Sequence, residues 1–500
     1  MKYVLGIDVG TGGTRAVLID GKGKIISSAT GEHAPFASPK IGWAEQDPRD
    51  WHRAAGEAIR QAVSSARIDA SDIAALGVAG QMHGAVLLDE KDEILRPALI
   101  WCDQRTQAQC DWLQEKLGAA KIIQLTSNPP LTNFTLTKLL WVRDNEPEIW
   151  KRFRAVLLPK DYVRLRLTGE HAIDVSDASG TLMLDVAHRR WSQEMMAAVD
   201  LPMSSLPRLY ESPEVCGRIS EAGRAHTGLK PGTPVVAGAG DQAAGAVGMG
   251  IVRAGAVSAT IGTSGVVFAA TDRPALDPEG RVHSFCHAVP ARWHVMGVTQ
   301  AAGLSLRWLR DLLGDGRPAG YDQLTREART ISPGSDGVLW APYLMGERTP
   351  HLDPNARGTL TGLAASHTRA HVIRAVLEGV AFSLKDTFSL FEQMQVPVHT
   401  VRLGGGGARS ALWREIQAEV YGREVEILAA EEGAAYGAAL LAGVGAKFWN
   451  SVDEACDAVV EVAERVRPDA AAVKALALQY ENFRRLYPAL KPLFARLSSP

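Results

Sequence analysis

Two stretches of one design stand about half of the 500-residue chain apart, and they limit the fold more than any other feature. Residues 3–20, YVLGIDVGTGGTRAVLID, read as a strand with an acid near its end, a Gly-rich turn and a second strand. Residues 256–270, AVSATIGTSGVVFAA, repeat the strand, Gly-containing turn and strand. Runs of β character joined by a short Gly-containing turn specify a hairpin. Glycine there lets the backbone approach a ligand, and N–H groups beside Thr and Ser hydroxyls suit phosphate oxygens. Just before the second hairpin, Val235 and Val236 lead through Gly238-Ala239-Gly240 to Asp241, at the head of an Ala/Gly-rich helix. Repetition at this spacing predicts an internal duplication, with a shared cleft to which each half contributes one hairpin. The duplication alone sets the boundary near residue 245, giving domains 1–245 and 246–500.

A chain of this length exceeds what one core supports, so more than one domain is expected. The formal charge of −2 comes from 54 basic and 56 acidic residues without long blocks. That leaves no electrostatic footprint for nucleic acid or an anionic membrane. The apolar start is interrupted by Asp8, too early for a signal segment, and no apolar run is long enough to span a bilayer. Five scattered cysteines, Cys102, Cys110, Cys216, Cys286 and Cys456, form no C-x-x-C pair. They fit free thiols in a reducing cytoplasm. His283-Ser284-Phe285-Cys286-His287 has metal-type residues but lies in a β-like stretch without a nearby carboxylate, which argues against zinc.

Further along, Asp47 as cap and Pro48 at the first helical position begin a helix to about residue 66. A strand over 73–79 runs into Gly80-Gln81-Met82-His83-Gly84, and a short one over 98–101 ends in Trp101-Cys102-Asp103-Gln104-Arg105. Residues 126–233 read as a mostly helical insertion that shapes the cleft. Leu403 enters four glycines, Gly404 to Gly407, ahead of a helix over 411–421. A strand, glycine loop and helix in that order let a nucleotide approach the backbone at a helix N-terminus. Residues 433–443, GAAYGAALLAG, read as a small-residue helix for close packing, and residues 452–500 read as helical throughout.

Several of these segments together resemble the FGGY family of carbohydrate kinases: GIDVGTGGT at 6–14, WAEQDP at 43–48, GQMHGAVLLD at 80–89, LLPKDYVRLRLTGE at 157–170, GAGDQAAGAVG at 238–248, VHSFCHA at 282–288, GERTPH at 346–351 and LGGGGARSALWR at 403–414. QMHG and LLPKDY are similar to the xylulose branch. The resemblance implies an α/β chain of two actin-like (ribonuclease H-like) ATPase domains with a cleft between them. The N-terminal one would lie on the sugar side and the C-terminal one on the nucleotide side. ATP and Mg2+ would be used to transfer the γ-phosphate to a ketopentose, D-xylulose in that branch.

Carried over by residue, Asp241 would be the catalytic base. The chemistry agrees: a sugar hydroxyl is a poor nucleophile, and an aspartate within reach can take its proton as the phosphoryl bond forms. The same Asp could serve only as a helix cap. Asp8 would act on magnesium through water, since that ion keeps several waters and takes few carboxylates. Thr11 and Gly12, with Gly262, Thr263 and Ser264, resemble the phosphate hairpins. Gly405, Gly406, Gly407 and Ser410 resemble the adenosine-side loop. Met82 and His83 fall on the substrate-binding pair, joined by Asp241 and Gln242, with Trp101, Asp103 and Arg105 on the same pocket. Gln242 departs from relatives that carry Asn there, which bears on sugar identity. The partners implied are a small sugar and ATP, with no nucleic acid and no membrane. A homodimer and a cytoplasmic location are compatible with the resemblance.

Competing readings are a kinase for another ketose or polyol (ribulose, gluconate, glycerol), and an actin-like or chaperone-like ATPase with a conformational output. The latter would need no sugar pocket, and Asp241 with QMHG argue against it.

Overall fold

The computed structural model describes residues 2–314, 320–429 and 433–497. Two seven-stranded sheets organise it, one in each half of the chain. The first runs Val215–Arg218, Pro234–Val236, Ile73–Gly80, Tyr3–Val9, Gly13–Asp20 and Ile25–Glu32, with Ala239–Gly240 also paired to Ile73–Gly80. The second runs Val462–Val466, Val425–Leu428, Val398–Gly405, Gly255–Ile261, Gly265–Thr271, Trp293–Thr299 and His283–Cys286. Both contain a three-stranded antiparallel meander, then two parallel neighbours, then an antiparallel strand. The duplication expected from the hairpins is therefore present in the topology. The fold is the two-domain α/β architecture of actin-like ATPases.

The central strands are buried on both faces, as near-continuous apolar runs require. On one face of the first sheet, Asp47 caps the helix Pro48–Ala66, its side chain accepting from the Arg49 N–H. That helix turns Trp51, Ala55, Ala58, Ile59 and Ala62 onto the meander. On the other face lies Gly433–Gly445, the small-residue helix, packed on Tyr3–Val9, Ile73–Gly80 and the helix Asp241–Gly248. A Cβ added at Gly6 would land on the Ala435 carbonyl, and one at Gly437 on the Ala244 carbonyl. Small residues on both sides thus allow backbone-to-backbone approach. A helix from late in the chain closes the core of the first sheet.

Residues 452–497 correct the all-helical expectation. Two helices, Val452–Val459 and Ala470–Leu497, flank the strand Val462–Val466, which pairs with Val425–Leu428 at the sheet edge. Arg465 reaches across that pair to Glu426 at 3.0 Å, the charged kind of edge that discourages further strand addition.

The insertion between the strands of the first half contains Gln107–Leu117, Thr135–Asn145 and Pro159–Thr168 among its helices. Its apolar cluster, with Met82, Phe134, Leu139 and Met183, continues into Phe268, Phe285 and Met296 of the second sheet. Asn128 spans the same seam, its Nδ2 donating to the Ser284 carbonyl at 2.9 Å. The halves are thereby joined along this seam and again where Gly433–Gly445 packs on the first sheet.

Candidate active site

Parallel strands Tyr3–Val9 and Ile73–Gly80 end on one row with Ala239–Gly240, Val9 opposite Gly80 and Gly80 opposite Gly240. The segments that continue these strands must leave from one edge, side by side. They are Gly10-Thr11-Gly12, Gln81-Met82-His83-Gly84 and Asp241-Gln242. Ligands of open α/β sheets gather at such carboxyl ends. In the second half Ile261 stands opposite Gly405, so Gly262-Thr263-Ser264 and Gly405–Gly407 leave together too. Motifs distant in the chain are thus brought together by register.

Asp8 and Asp241 are the acids of this edge. Asp8 has a buried Oδ1 without a hydrogen-bond partner among the described residues. Burial, then the nearby Asp241 charge, push its carboxyl up to about 7, against the pull of Arg15. Asp241 opens the helix Asp241–Gly248 as its first residue, with Gly240 as the cap. Burial raises it to about 6, opposed by bonds from the Gln242 amide at 3.4 Å and the Gln242 backbone N–H at 2.8 Å. Gln242, the departure noted in the sequence, is therefore bonded to the neighbouring acid.

The first glycine turn is strapped from behind. Gln46 Nε2 donates to the Thr11 carbonyl at 2.8 Å, and Gln81 Nε2 donates to the Gly10 carbonyl at 3.2 Å and to Gln46 Oε1 at 3.1 Å. Neither glutamine was singled out from the sequence, although WAEQDP and GQMHG contain them. Gly12 has open space where a Cβ would be. Trp101, 44% exposed, donates from its indole N–H to the Thr11 hydroxyl at 3.0 Å.

Met82 lies against Gly240, where an added Cβ would meet its Cγ at 2.9 Å. His83 has φ 69°, and the Gly84 N–H bonds to the Met82 carbonyl at 2.9 Å, which makes a γ-turn with His83 at its centre. The His83 Nδ1–H donates to the Gly180 carbonyl at 2.7 Å. Burial, with the Lys138 and Arg348 charges, drives the ring down to about 3. It is therefore neutral near pH 7, with Nε2 left as an acceptor.

Asp103 and Arg105 correct the sequence expectation. Asp103 accepts from the Ala44 N–H at 2.7 Å and from Arg105 Nη2 at 2.7 Å. Arg105 also pairs with Glu45 at 2.8 Å and lies 3.6 Å over the Trp43 ring. Both side chains are buried in this pair, so they brace the loop and do not line the sugar side.

In the second half a cavity of about 370 Å³ opens between the glycine loops and two helices, Gly303–Leu313 and Tyr321–Ala328. Gly262, Thr263, Gly406, Gly407 and Ser410 line it, as do Arg307, Tyr321 and Trp413, which sequence reasoning missed. Ser410 also caps the helix Ala411–Tyr421, accepting from the Trp413 N–H at 3.3 Å. Gly405 has φ 72° and turns the chain against the Ile261 carbonyl, leaving no room for a Cβ.

Beneath Asp241 is a buried group of charges from LLPKDY and its neighbours. Lys160 meets Asp161 at 2.6 Å, Asp174 at 2.8 Å and Asp177 at 3.5 Å. Asp174 binds the Ser176 hydroxyl, and the Gly240 N–H donates to Ser176 Oγ at 3.2 Å. The residue before Asp241 is thus tied to this cluster.

Two family models match the chain. The N-terminal domain of the FGGY family of carbohydrate kinases matches residues 3–248, and its C-terminal domain matches residues 257–446. The chain is 41% identical over 492 residues to the xylulose kinase of Escherichia coli, covering 98% of this chain and 100% of that one. It is 38% identical over 499 residues to the xylulose kinase of Bacillus subtilis, covering 100% and 99%. Among solved structures, a xyloylose kinase from Brucella ovis superposes with a TM-score of 0.92 at 38% identity, covering 98% and 100%. The chain belongs to the FGGY family of carbohydrate kinases and is an ATP-dependent sugar kinase.

Proposed function

We propose that this kinase converts D-xylulose to D-xylulose 5-phosphate at the expense of ATP. The observation that carries the proposal is the common strand row, which presents the Thr11 turn, Met82-His83 and Asp241 together. The full-length likeness to proteins named xylulose kinase supports the sugar. Asp241 acts as the general base. With its carboxyl near 6 it is mostly ionised at neutral pH yet basic enough to take a hydroxyl proton. His83 Nε2 accepts a sugar hydroxyl, Met82 packs on the carbon face, and Gln242 and Trp101 border the pocket. Thr11, Gly12, Gly262, Thr263 and Ser264 hold the phosphates, while Gly405, Gly406, Gly407 and Ser410 hold the adenosine end. The sugar side is assigned to 1–245 and the nucleotide side to 246–500.

Asp8 fits a magnesium ion reached through water, because its buried Oδ1 lacks a partner among the described residues and a cation would stabilise its ionised form. When bound, that ion neutralises phosphate charge. The chain's own part is to orient the hydroxyl, exclude water and hold the proton on Asp241.

The test is ADP release across pentuloses, hexuloses and polyols, with Asp241→Asn as control. D-Xylulose should give the highest kcat/KM, and the variant should lose about 10²–10⁴-fold in kcat. Faster turnover of ribulose, gluconate or glycerol would reassign the sugar. Unchanged turnover by the variant would remove Asp241 from the mechanism.

A further inference from the structure

His83 is held in a conformation that an L-residue adopts only under constraint. Its φ of 69° at the centre of a γ-turn is strained. Such strain persists when the surroundings over-determine it, and here the constraint converges on one atom. The His83 carbonyl accepts the Thr135 hydroxyl at 3.1 Å and Lys138 Nζ at 2.9 Å. Thr135 and Lys138 lie three residues apart on the helix Thr135–Asn145, on one face. A second bond from Lys138 goes to the Asn133 carbonyl, at the approach to the same helix.

Lys138 is fully buried, and among the described residues no carboxylate stands within ion-pair distance of it. Asp103, the acid whose charge acts on it, is committed to Arg105. Burying an ammonium without an ion partner is costly, and a methionine would occupy similar volume without that cost. Its donors are directed at the His83 carbonyl of the turn and at the Asn133 carbonyl before its own helix.

We propose that Lys138 is a positioning residue of the sugar site: with the Thr135 hydroxyl, it holds the His83 carbonyl and so locks the turn that presents Met82 and His83 to the sugar. The proposal rests on the assignment of His83 to the sugar. Without the clamp, the turn relaxes toward ordinary backbone geometry, and His83 Nε2 and the Met82 side chain leave their places. The adenosine end, built on Gly405–Gly407 and Ser410 in the other half, is not touched.

The test is steady-state kinetics of the full chain with D-xylulose and ATP, comparing Lys138→Met, Thr135→Val, His83→Ala and the double variant His83→Ala/Lys138→Met. Lys138→Met should raise KM for D-xylulose about tenfold or more, with KM for ATP and sugar-independent ATP hydrolysis within about twofold. Thr135→Val should move the same constant in the same direction by less. In the His83→Ala background, Lys138→Met should add little, because residues acting as a unit are not additive. An unchanged sugar KM in Lys138→Met, with His83→Ala impaired, overturns the clamp and leaves the sugar assignment standing. If His83→Ala itself leaves sugar KM unchanged, the sugar assignment fails and the clamp with it. Should Lys138→Met not fold, Thr135→Val decides: a selective rise in sugar KM supports the clamp, and none overturns it.

Discussion

Asp8 and Asp241 stand near each other at the sheet edge, and burial raises both carboxyls above their ordinary range. An acid whose folded pKa is raised binds protons that the unfolded chain has already lost, so it destabilises the fold as pH rises through that interval. For Asp8 the interval runs from the ordinary aspartate value of 3.8 to about 7. Asp8→Asn should therefore raise the Tm of the ligand-free protein at pH 8, by about 1–3 kcal/mol of stability. The gain should vanish near pH 4, as thermal melts across that range would show. A gain that persisted at pH 4 would point to a different cause. Activity has its own acid limb: kcat/KM should fall below about pH 6 as Asp241 takes up its proton. A profile flat to pH 5 would contradict that role. Arg105 supplies the contrast. Arg105→Met breaks a buried pair and should cost about 3–5 kcal/mol of stability while leaving the sugar KM unchanged. These residues also mark a limit of sequence reading. An Asp and an Arg after an exposed Trp have the same spelling whether they face a pocket or a core.

At the scale of elements, glycine placement decides how closely the pieces approach. The helix Gly433–Gly445 reaches the first sheet and the helix Asp241–Gly248 only because Gly6, Gly77 and Gly437 lack a Cβ. Gly437→Ala should destabilise by about 1–3 kcal/mol or more, since the obstruction is backbone and cannot rotate away. Gly12→Ala, on an open turn, should leave Tm unchanged and raise KM for ATP. Equal effects on Tm from the two would refute this packing account. Both hairpins, the helix Pro48–Ala66 and the helix Ala411–Tyr421 were legible because turn glycines, caps and periodicity act locally. The helical expectation missed strand Val462–Val466, although Val459, Val460, Val462 and Val466 carry a β-branched signal, and its pairing with Val425–Leu428 fixes it as the edge strand.

For the whole molecule, the duplicated sheets are joined by the cluster around Phe134 and Phe285, by Asn128 and by the helix Gly433–Gly445 packed on the first sheet. Sugar with a non-hydrolysable ATP analogue should reduce the radius of gyration measured by small-angle scattering, as water-excluding closure requires. No contraction would mean that the cleft is already in its working form. Among the described residues no helix is long and apolar enough to cross a membrane.

Local turn chemistry and spacing specify the two hairpins, the repetition that pairs them, the glycine loop before Ala411 and the acids at 8 and 241, so all of these can be read along the chain. Folding in three dimensions was needed to show that Val9, Gly80 and Gly240 end on one row, that Gln46 and Gln81 strap the Thr11 turn, and that Asp103 and Arg105 turn inward. The reach of Lys138 to the His83 carbonyl is of the same kind. Register and burial are agreements between distant segments, and no single segment carries them.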